Sequence, residues 1–379
     1  MTARVRRLLG AAAPAPRLID TTLREGAQAP VPYLDPARVR ALVAALGRVG
    51  VEELELGHVV ADPALRGGPS ADLPQLVADA ARLAPGARRA VWCRALPEDV
   101  LAAAAMAPDV VSFAVPVSDA HLKVRLRRDR PWALDAVARL TRLARAHGVP
   151  YVSVGLEDAT RADPRFVAQV ARAAGRAGAD RVRIADTVGV AGPLRLAALV
   201  RTVRRRFDGE VAVHVHDDLG MATASSVAAL EAGACWADSS VLGLGERAGI
   251  ARTEEVAAWL VLAAGAGYDL RRLRHACHDL AGWVQRPVPE AAPVIGERVF
   301  ACESGIHLDG LAKDPSLYEP FPPELVGARR EWRLGRTAGR GAVRALLGPG
   351  EEAAAWRAAA VRRGRSLDVE LAPRERGVG

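Results

Sequence analysis

The sequence predicts an α/β protein, a (β/α)8 TIM barrel followed by a smaller, mainly helical accessory domain, on three observations. Short β-branched runs recur eight times within about 250 residues, each trailed by an Ala/Leu/Arg-rich segment of helical period. Polar residues collect at the C-terminal ends of those runs, where this fold carries its active sites. No GxGxxG follows the first run, which argues against a doubly wound dinucleotide-binding sheet.

Taken in order, strands are expected at 17–23, 51–57, 88–94, 110–116, 151–157, 181–187, 211–217 and 236–244, where β-branched residues suit a pleated sheet. Between them, apolar residues return at helical spacing in Pro36 to Val49, Leu134 to His147, Pro164 to Ala177, Leu194 to Phe207 and Ala222 to Ala232. The barrel then fills 17–265, behind a flexible basic arm at 1–16. Pro287, Pro289 and Pro293 interrupt the helical stretch that follows, and the loops from Gly296 to Gly310 and from Leu317 to Gly327 are too rich in Gly and Pro for one helix. Residues 266–348 are therefore read as an accessory or lid domain, and 349–379 as a polar tail.

Composition excludes several classes. The net charge of +8 comes almost wholly from Arg spread along helices, and aromatics make up only 4% of residues, too few for a base-stacking platform. Nucleic acid is not expected as a partner; part of the excess charge suits an anionic substrate such as a CoA ester. No apolar run is long enough to span a bilayer, and the first residues lack the apolar core of a signal peptide, so a cytoplasmic protein is expected. Cys93, Cys235, Cys277 and Cys302 are scattered with no CxxC pair, which indicates neither a disulfide framework nor a zinc ribbon.

Two segments carry the chemistry. In Val211 to His216, His214 and His216 stand two apart on a strand and share a face. Two imidazoles so placed suit a borderline divalent ion, and Glu25 of the Asp20 to Gln28 segment can add a hard oxygen. The plainer alternative makes them hydrogen-bonded barrel residues beside a solvated carboxylate. Asp217 and Asp218 are expected to hold one of the rings in its ligating tautomer. Arg24, His58, Arg94, Glu157, Thr187, Glu246 and Arg247 occupy the same rim. Four of them have a structural alternative: Glu157 an ion pair with Arg161, Thr187 a strand end, Arg247 and His58 local packing.

The motifs DTTLREGAQAP, HVHDDLGMA, GLGERAGIA and ESGIHLDG make the chain resemble the acyl-CoA-condensing metal enzymes that include 2-isopropylmalate, citramalate and homocitrate synthases. Within them, VWCR at 91–94, VPVSDAHLKVRLRRDRPWAL at 115–134 and VSVGLEDATRAD at 152–163 look most like the nitrogenase-associated homocitrate synthases. The resemblance implies Glu25, His214 and His216 as ligands of a divalent metal (Zn, Mn or Mg) and Arg24 on the substrate oxygens. It implies Glu157, His307 and Tyr318 as the acid-base group, and Thr187 at the substrate carboxylate; Gln28, His58 and Arg94 are this chain's own further candidates for binding substrate. His307 and Tyr318 would act in a neighbouring subunit's barrel, making a homodimer obligatory. The expected reaction condenses acetyl-CoA with 2-oxoglutarate to homocitrate; the alternatives are another 2-oxo acid, or a metabolite-binding relative without turnover.

Four departures bear on that expectation. His58 replaces a small or apolar residue, and Leu156 replaces a Gly beside Glu157, where a bulky rim side chain would reshape the pocket. Cys302 replaces a His before Glu303-Ser304-Gly305, and Arg336-Thr337-Ala338 replaces a Lys-His-Ser stretch.

Overall fold

The computed structural model describes residues 15–62, 72–334 and 367–368. Eight parallel strands close a barrel in sequence order: β1 (Arg17–Asp20), β2 (Glu53–Val59), β3 (Arg88–Arg94), β4 (Val110–Pro116), β5 (Tyr151–Glu157), β6 (Arg181–Asp186), β7 (Glu210–Val215) and β8 (Trp236–Ser239). Closure comes from β8 pairing with β1, in the register Arg17↔Trp236 to Asp20↔Ser239.

Helices alternate with the strands: α1 (Pro36–Val49), α2 (Leu73–Leu83), α3 (Pro97–Ala105), α4 (Arg130–Ala146), α5 (Pro164–Ala177), α6 (Pro193–Arg204), α7 (Ala222–Glu231) and α8 (Thr253–Trp259). The bounds of α1 and α5 fall where the sequence put them because local chemistry fixes both ends. Asp35 and Asp163 accept the first orphan N–H groups, with Pro36 and Pro164 at the first helical position. Gly50 (φ 96°) and Gly178 (φ 102°) then end each helix in the left-handed conformation.

Residues of one parity along the strands, such as Val91, Val154, Leu156, Ile184 and Val213, are buried apolar side chains. The barrel axis is instead charged. In its lower layer Arg181 uses every guanidinium nitrogen: Nη1 and Nη2 donate to Glu53 at 3.0 and 2.5 Å, and Nε donates to Ser153 at 3.0 Å. Arg17, Arg88 and Arg181 lie over the Trp236 ring at 3.9, 4.5 and 5.3 Å, and the indole N–H donates to Glu210 at 2.7 Å.

The barrel unit runs to Pro287 rather than ending at 265. The physical reason is α9 (Leu270–Trp283), which starts on the barrel: Asp269 N–H donates to the Val49 carbonyl at 2.9 Å, and the Tyr268 hydroxyl donates to Glu52 at 2.8 Å. The second unit, from Val288, carries more helix than strand among the described residues, with short 3-10 turns at Pro315–Leu317 and Pro323–Val326 beside its one α-helix, and it adds a small sheet. It holds β9 (Ala301–Cys302), α10 (Gly305–Lys313), β10 (Glu331–Leu334) and β11 (Leu367–Asp368), with β10 pairing parallel to β9 and antiparallel to β11. Most of the proposed arm and tail, and Arg336-Thr337-Ala338, lie outside the described residues. Cys93, Cys235 and Cys277 are buried and Cys302 is half-buried; burial pushes the Cys93 and Cys277 thiols far up.

Candidate active site

The C-terminal ends of the strands surround a cavity of about 830 Å3. Glu25, His214 and His216 meet at its wall, with one possible ligand atom from each lying within 4.8 Å of the others. His214 is on β7, while His216 lies just past it and bridges to Ile250. Glu25 hangs from the turn after β1, close under the loop after β8. Gly245 makes that approach possible, because a Cβ there would sit 3.3 Å from Glu25 Cγ. Gly249 (φ 87°) closes the same loop, where a Cβ would fall 1.8 Å from the Gly243 carbonyl oxygen.

The electrostatics suit a cation. Burial opposes ionisation of Glu25, but the positive charge beside it, the Arg24 guanidinium first, holds the carboxyl below its usual range. Burial, with His214 next to it, drives His216 down to about 3, so its ring is neutral and offers a lone pair. His216 Nδ1 is buried with no hydrogen-bond partner among the described residues. This donor set, two imidazoles and a carboxylate with an unclaimed buried nitrogen, fits a divalent metal.

The carboxylate that orients His214 is not one of those expected. Asp238 on β8 sits 2.8 Å from His214 Nδ1, which turns Nε2 towards Glu25 at 3.7 Å. Asp217 instead accepts the Ala222 N–H at 2.8 Å, and Asp218 pairs with Arg247 at 2.8 Å. Neither neighbour of His216 is spare to hold a ring.

Arg24 and Arg183 extend the network downwards. Arg24 donates through Nε to Glu55 at 2.6 Å and through Nη1 to Glu25, leaving Nη2 without a hydrogen bond among the described residues. Arg183 Nη1 is 2.9 Å from Glu55 and 3.1 Å from Asp238. Sequence reasoning missed Glu55, Arg183 and Asp238. Their signal was a charged residue at every second position of a buried barrel strand, as in Glu53-Leu54-Glu55 and Arg181-Val182-Arg183, which a two-faced apolar strand does not tolerate.

Of the other expected site residues, Arg24, Gln28, His58, Arg94, Glu157 and Thr187 all line the cavity. His58 lies within β2, where the register shifts between Glu55 and His58, and it meets the Trp92 ring edge-on at 4.8 Å. Burial, and then Arg24, lower its pKa. Arg94 is held by Asp99 at 2.5 Å. Glu157 does not pair with Arg161; it is gripped by both ends of Arg125 at 2.8 and 2.6 Å, with His121 Nδ1 at 3.2 Å, while Arg161 binds Asp158. Thr187 Oγ1 accepts the Asp158 N–H at 2.9 Å, which frees its proton for the cavity. Leu156 is fully buried and does not line the cavity; Gly155 and Glu157 on either side of it do, because alternate residues of β5 face opposite ways. Its expected effect on the pocket is therefore not seen. His307 and Tyr318 sit on the second unit, exposed and 4.3 Å apart ring to ring. Gly310 permits that contact, since a Cβ there would lie 2.3 Å from the Tyr318 ring.

Comparison with known proteins agrees with this geometry. Residues 15–279 match the HMGL-like family, and residues 294–349 match the homocitrate synthase post-HMGL domain-like family. The chain is 42% identical over 337 residues to a homocitrate synthase of Frankia alni, covering 87% of this chain and 92% of that one. It is 38% identical over 329 residues to 2-isopropylmalate synthase 2 of Caldanaerobacter subterraneus subsp. tengcongensis, covering 86% and 83%. Among solved structures, hydroxymethylglutaryl-CoA lyase from Pseudomonas aeruginosa superposes with a TM-score of 0.62 at 26% identity, covering 71% of this chain and 93% of that one. With its closed barrel, its Glu-His-His cluster and this degree of identity, the chain belongs to the HMGL-like enzymes, among the synthases that condense an acyl-CoA with a 2-oxo acid.

Proposed function

We propose that the chain is a homocitrate synthase, joining the methyl carbon of acetyl-CoA to the ketone carbon of 2-oxoglutarate and hydrolysing the thioester to free CoA. The observation that carries this reading is that Glu25, His214 and His216 share one cavity with Glu157, Thr187 and two buried arginines. A divalent ion held by those three residues would polarise the ketone and grip the adjoining carboxylate.

The chain's own groups serve the rest of the reaction. Thr187 donates its hydroxyl to the substrate carboxylate. Arg24 turns its unpaired Nη2 to the ketone oxygen, where negative charge develops. A proton leaves the thioester methyl, the electron pair left on carbon forms the bond to the ketone carbon, and the ketone π pair moves to oxygen, which takes up a proton. Water then adds to the thioester carbonyl, the C–S bond breaks, and CoA leaves as the thiol. We assign these proton transfers to Glu157, fixed by Arg125, with His307 and Tyr318. The chain is expected to work as a homodimer, which sedimentation equilibrium checks.

The decisive experiment measures CoA release from acetyl-CoA, with and without chelator, against pyruvate, 2-oxoisovalerate, oxaloacetate and 2-oxoglutarate. A chelator-sensitive rate greatest with 2-oxoglutarate supports the proposal. Preference for another acid moves the substrate and keeps the reaction; no release from folded, metal-loaded protein removes the reaction. His307→Ala should keep the metal and lose CoA release, and full activity in that variant would end its assignment.

A further inference from the structure

We propose that Arg183, at the floor of the cavity, reads the far carboxylate of the 2-oxo acid and so selects dicarboxylic substrates. The inference rests on the condensing reaction proposed above and names the residue that would set its substrate class. Arg183 is 3% exposed, and its guanidinium is held from one side only, Nη1 lying against Glu55 and Asp238. Among the described residues Nε and Nη2 have no hydrogen-bond partner, and both are buried. In a guanidinium those two nitrogens form one edge, the edge whose parallel N–H groups match the two oxygens of a carboxylate. A buried donor left unpaired costs about 1–3 kcal/mol, so an unclaimed pair of this shape is a strong demand for an acceptor.

The space above the residue leads to it. Gly155 on β5 stands in register with Arg183, Ala114 on β4 stands in register with Gly155, and Ala185 follows Arg183 by two residues on β6; all three are small and line the cavity together with Arg183. A Cβ at Gly155 would lie 2.8 Å from that of Ala114, so any larger residue at 155 would block this shaft. A 2-oxo acid whose keto end sits at Glu25, His214 and His216 can extend its side chain between these small residues. A turn of the guanidinium about its Nη1 anchor then presents the Nε/Nη2 edge to the arriving carboxylate. The other arginines of the cavity are less suited: Arg24 has two of its three nitrogens taken by Glu55 and Glu25 and stands beside the keto end, Arg94 is taken by Asp99, Arg125 is taken by Glu157, and Arg128 is exposed. An uncharged side chain in the same place would leave both donors buried and unpaired, which is how a polar site rejects an apolar analogue.

The test compares kcat/KM for 2-oxoglutarate and for its uncharged isostere 5-methyl-2-oxohexanoate, by CoA release from metal-loaded wild type, Arg183→Met and Arg183→Lys. Wild type should favour the dicarboxylate by on the order of 100-fold or more. Arg183→Met should bring that ratio near unity. Arg183→Lys keeps a cation between Glu55 and Asp238, and so remains informative if the Met variant does not fold; it should lose most of the preference with its paired donors. A preference that survives in Arg183→Lys overturns the inference and leaves the condensing reaction standing, as does a wild type that turns over both acids equally. Absence of CoA release with every 2-oxo acid overturns the reaction itself, and the inference with it.

Discussion

Glu53 with Arg181, and Glu55 with Arg183, are the same pair of residue types carried by the same two strands, two positions apart. In the lower pair every nitrogen of the arginine has a protein partner, and Trp236 stands beside it. In the upper pair one nitrogen is shared by Glu55 and Asp238, two are unclaimed, and the residue borders the cavity. A buried ion pair satisfied on all sides fills and fixes a barrel; one left half satisfied is a site awaiting an acceptor. Position along the strand, about two residues or roughly 7 Å of rise, separates the two uses.

The comparison can be broken most sharply from above. His214→Ala should abolish stoichiometric metal binding after dialysis and lower CoA release by roughly 1000-fold or more, with the melting temperature little changed. A metal-loaded, active variant would remove the upper layer's role. From below, Arg181→Met takes the fork from buried Glu53 and leaves it only Arg88, at 2.7 Å, among the described cations paired with it; this should cost up to roughly 3–5 kcal/mol in urea unfolding. Whatever folds should keep the wild-type order of 2-oxo acids; a changed order would show that the lower layer also reads substrate.

Leu156 sharpens the same division across the sheet rather than along it. Leu156→Ala should destabilise by roughly 2–4 kcal/mol, since the side chain is fully buried on the helix side of β5, and leave substrate preference alone. Asp238→Asn tests the link between the upper arginine, Arg183, and the metal cluster. It should weaken metal affinity by roughly 10–100-fold, read by competition with a chromogenic chelator.

The smallest effect concerns a buried carboxyl with no guanidinium fork at all. Glu254, on α8, is pushed up to about 7 by burial; the Leu242 N–H and the more distant Arg252 only partly offset this, and Cys277 lies 3.8 Å away. A folded-state pKa raised from 4.5 gives stability that is complete below about pH 4.5 and is lost as pH rises towards 7. Glu254→Gln should therefore be more stable than wild type above pH 7 by roughly 1–2 kcal/mol, and the gap should close by pH 4.5. Parallel curves in chemical denaturation across that range would rule out Glu254 as the titrating group.

Much of this was legible in the chain. Eight strands could be read because parallel barrel strands are β-branched runs, and α1 and α5 because Asp-Pro at one end and Gly at the other dictate their caps. His214, His216 and Glu25 were legible because strand parity and the turn after β1 place them without long-range information. Asp238 was not, since its contact with His214 crosses between strands that are 24 residues apart, and the nearer Asp217 and Asp218 looked equally able. The orientation of Leu156 was available from its place beside Glu157, one step out of phase with the cavity. The sheet of the second unit was hidden by the shortness of its strands, two to four residues each, which leave no period to detect.

The burial of three of the four cysteines has a practical consequence at the bench. A disulfide dye that reports thiols by colour would react with released CoA, while Cys93, Cys235 and Cys277 are shielded from it and the thiols of Cys93 and Cys277 are held in their unreactive protonated form. Cys302 on the second unit is half-buried and burial pushes its thiol up as well, so a continuous assay of the native enzyme starts from a background of at most one protein thiol per chain rather than four.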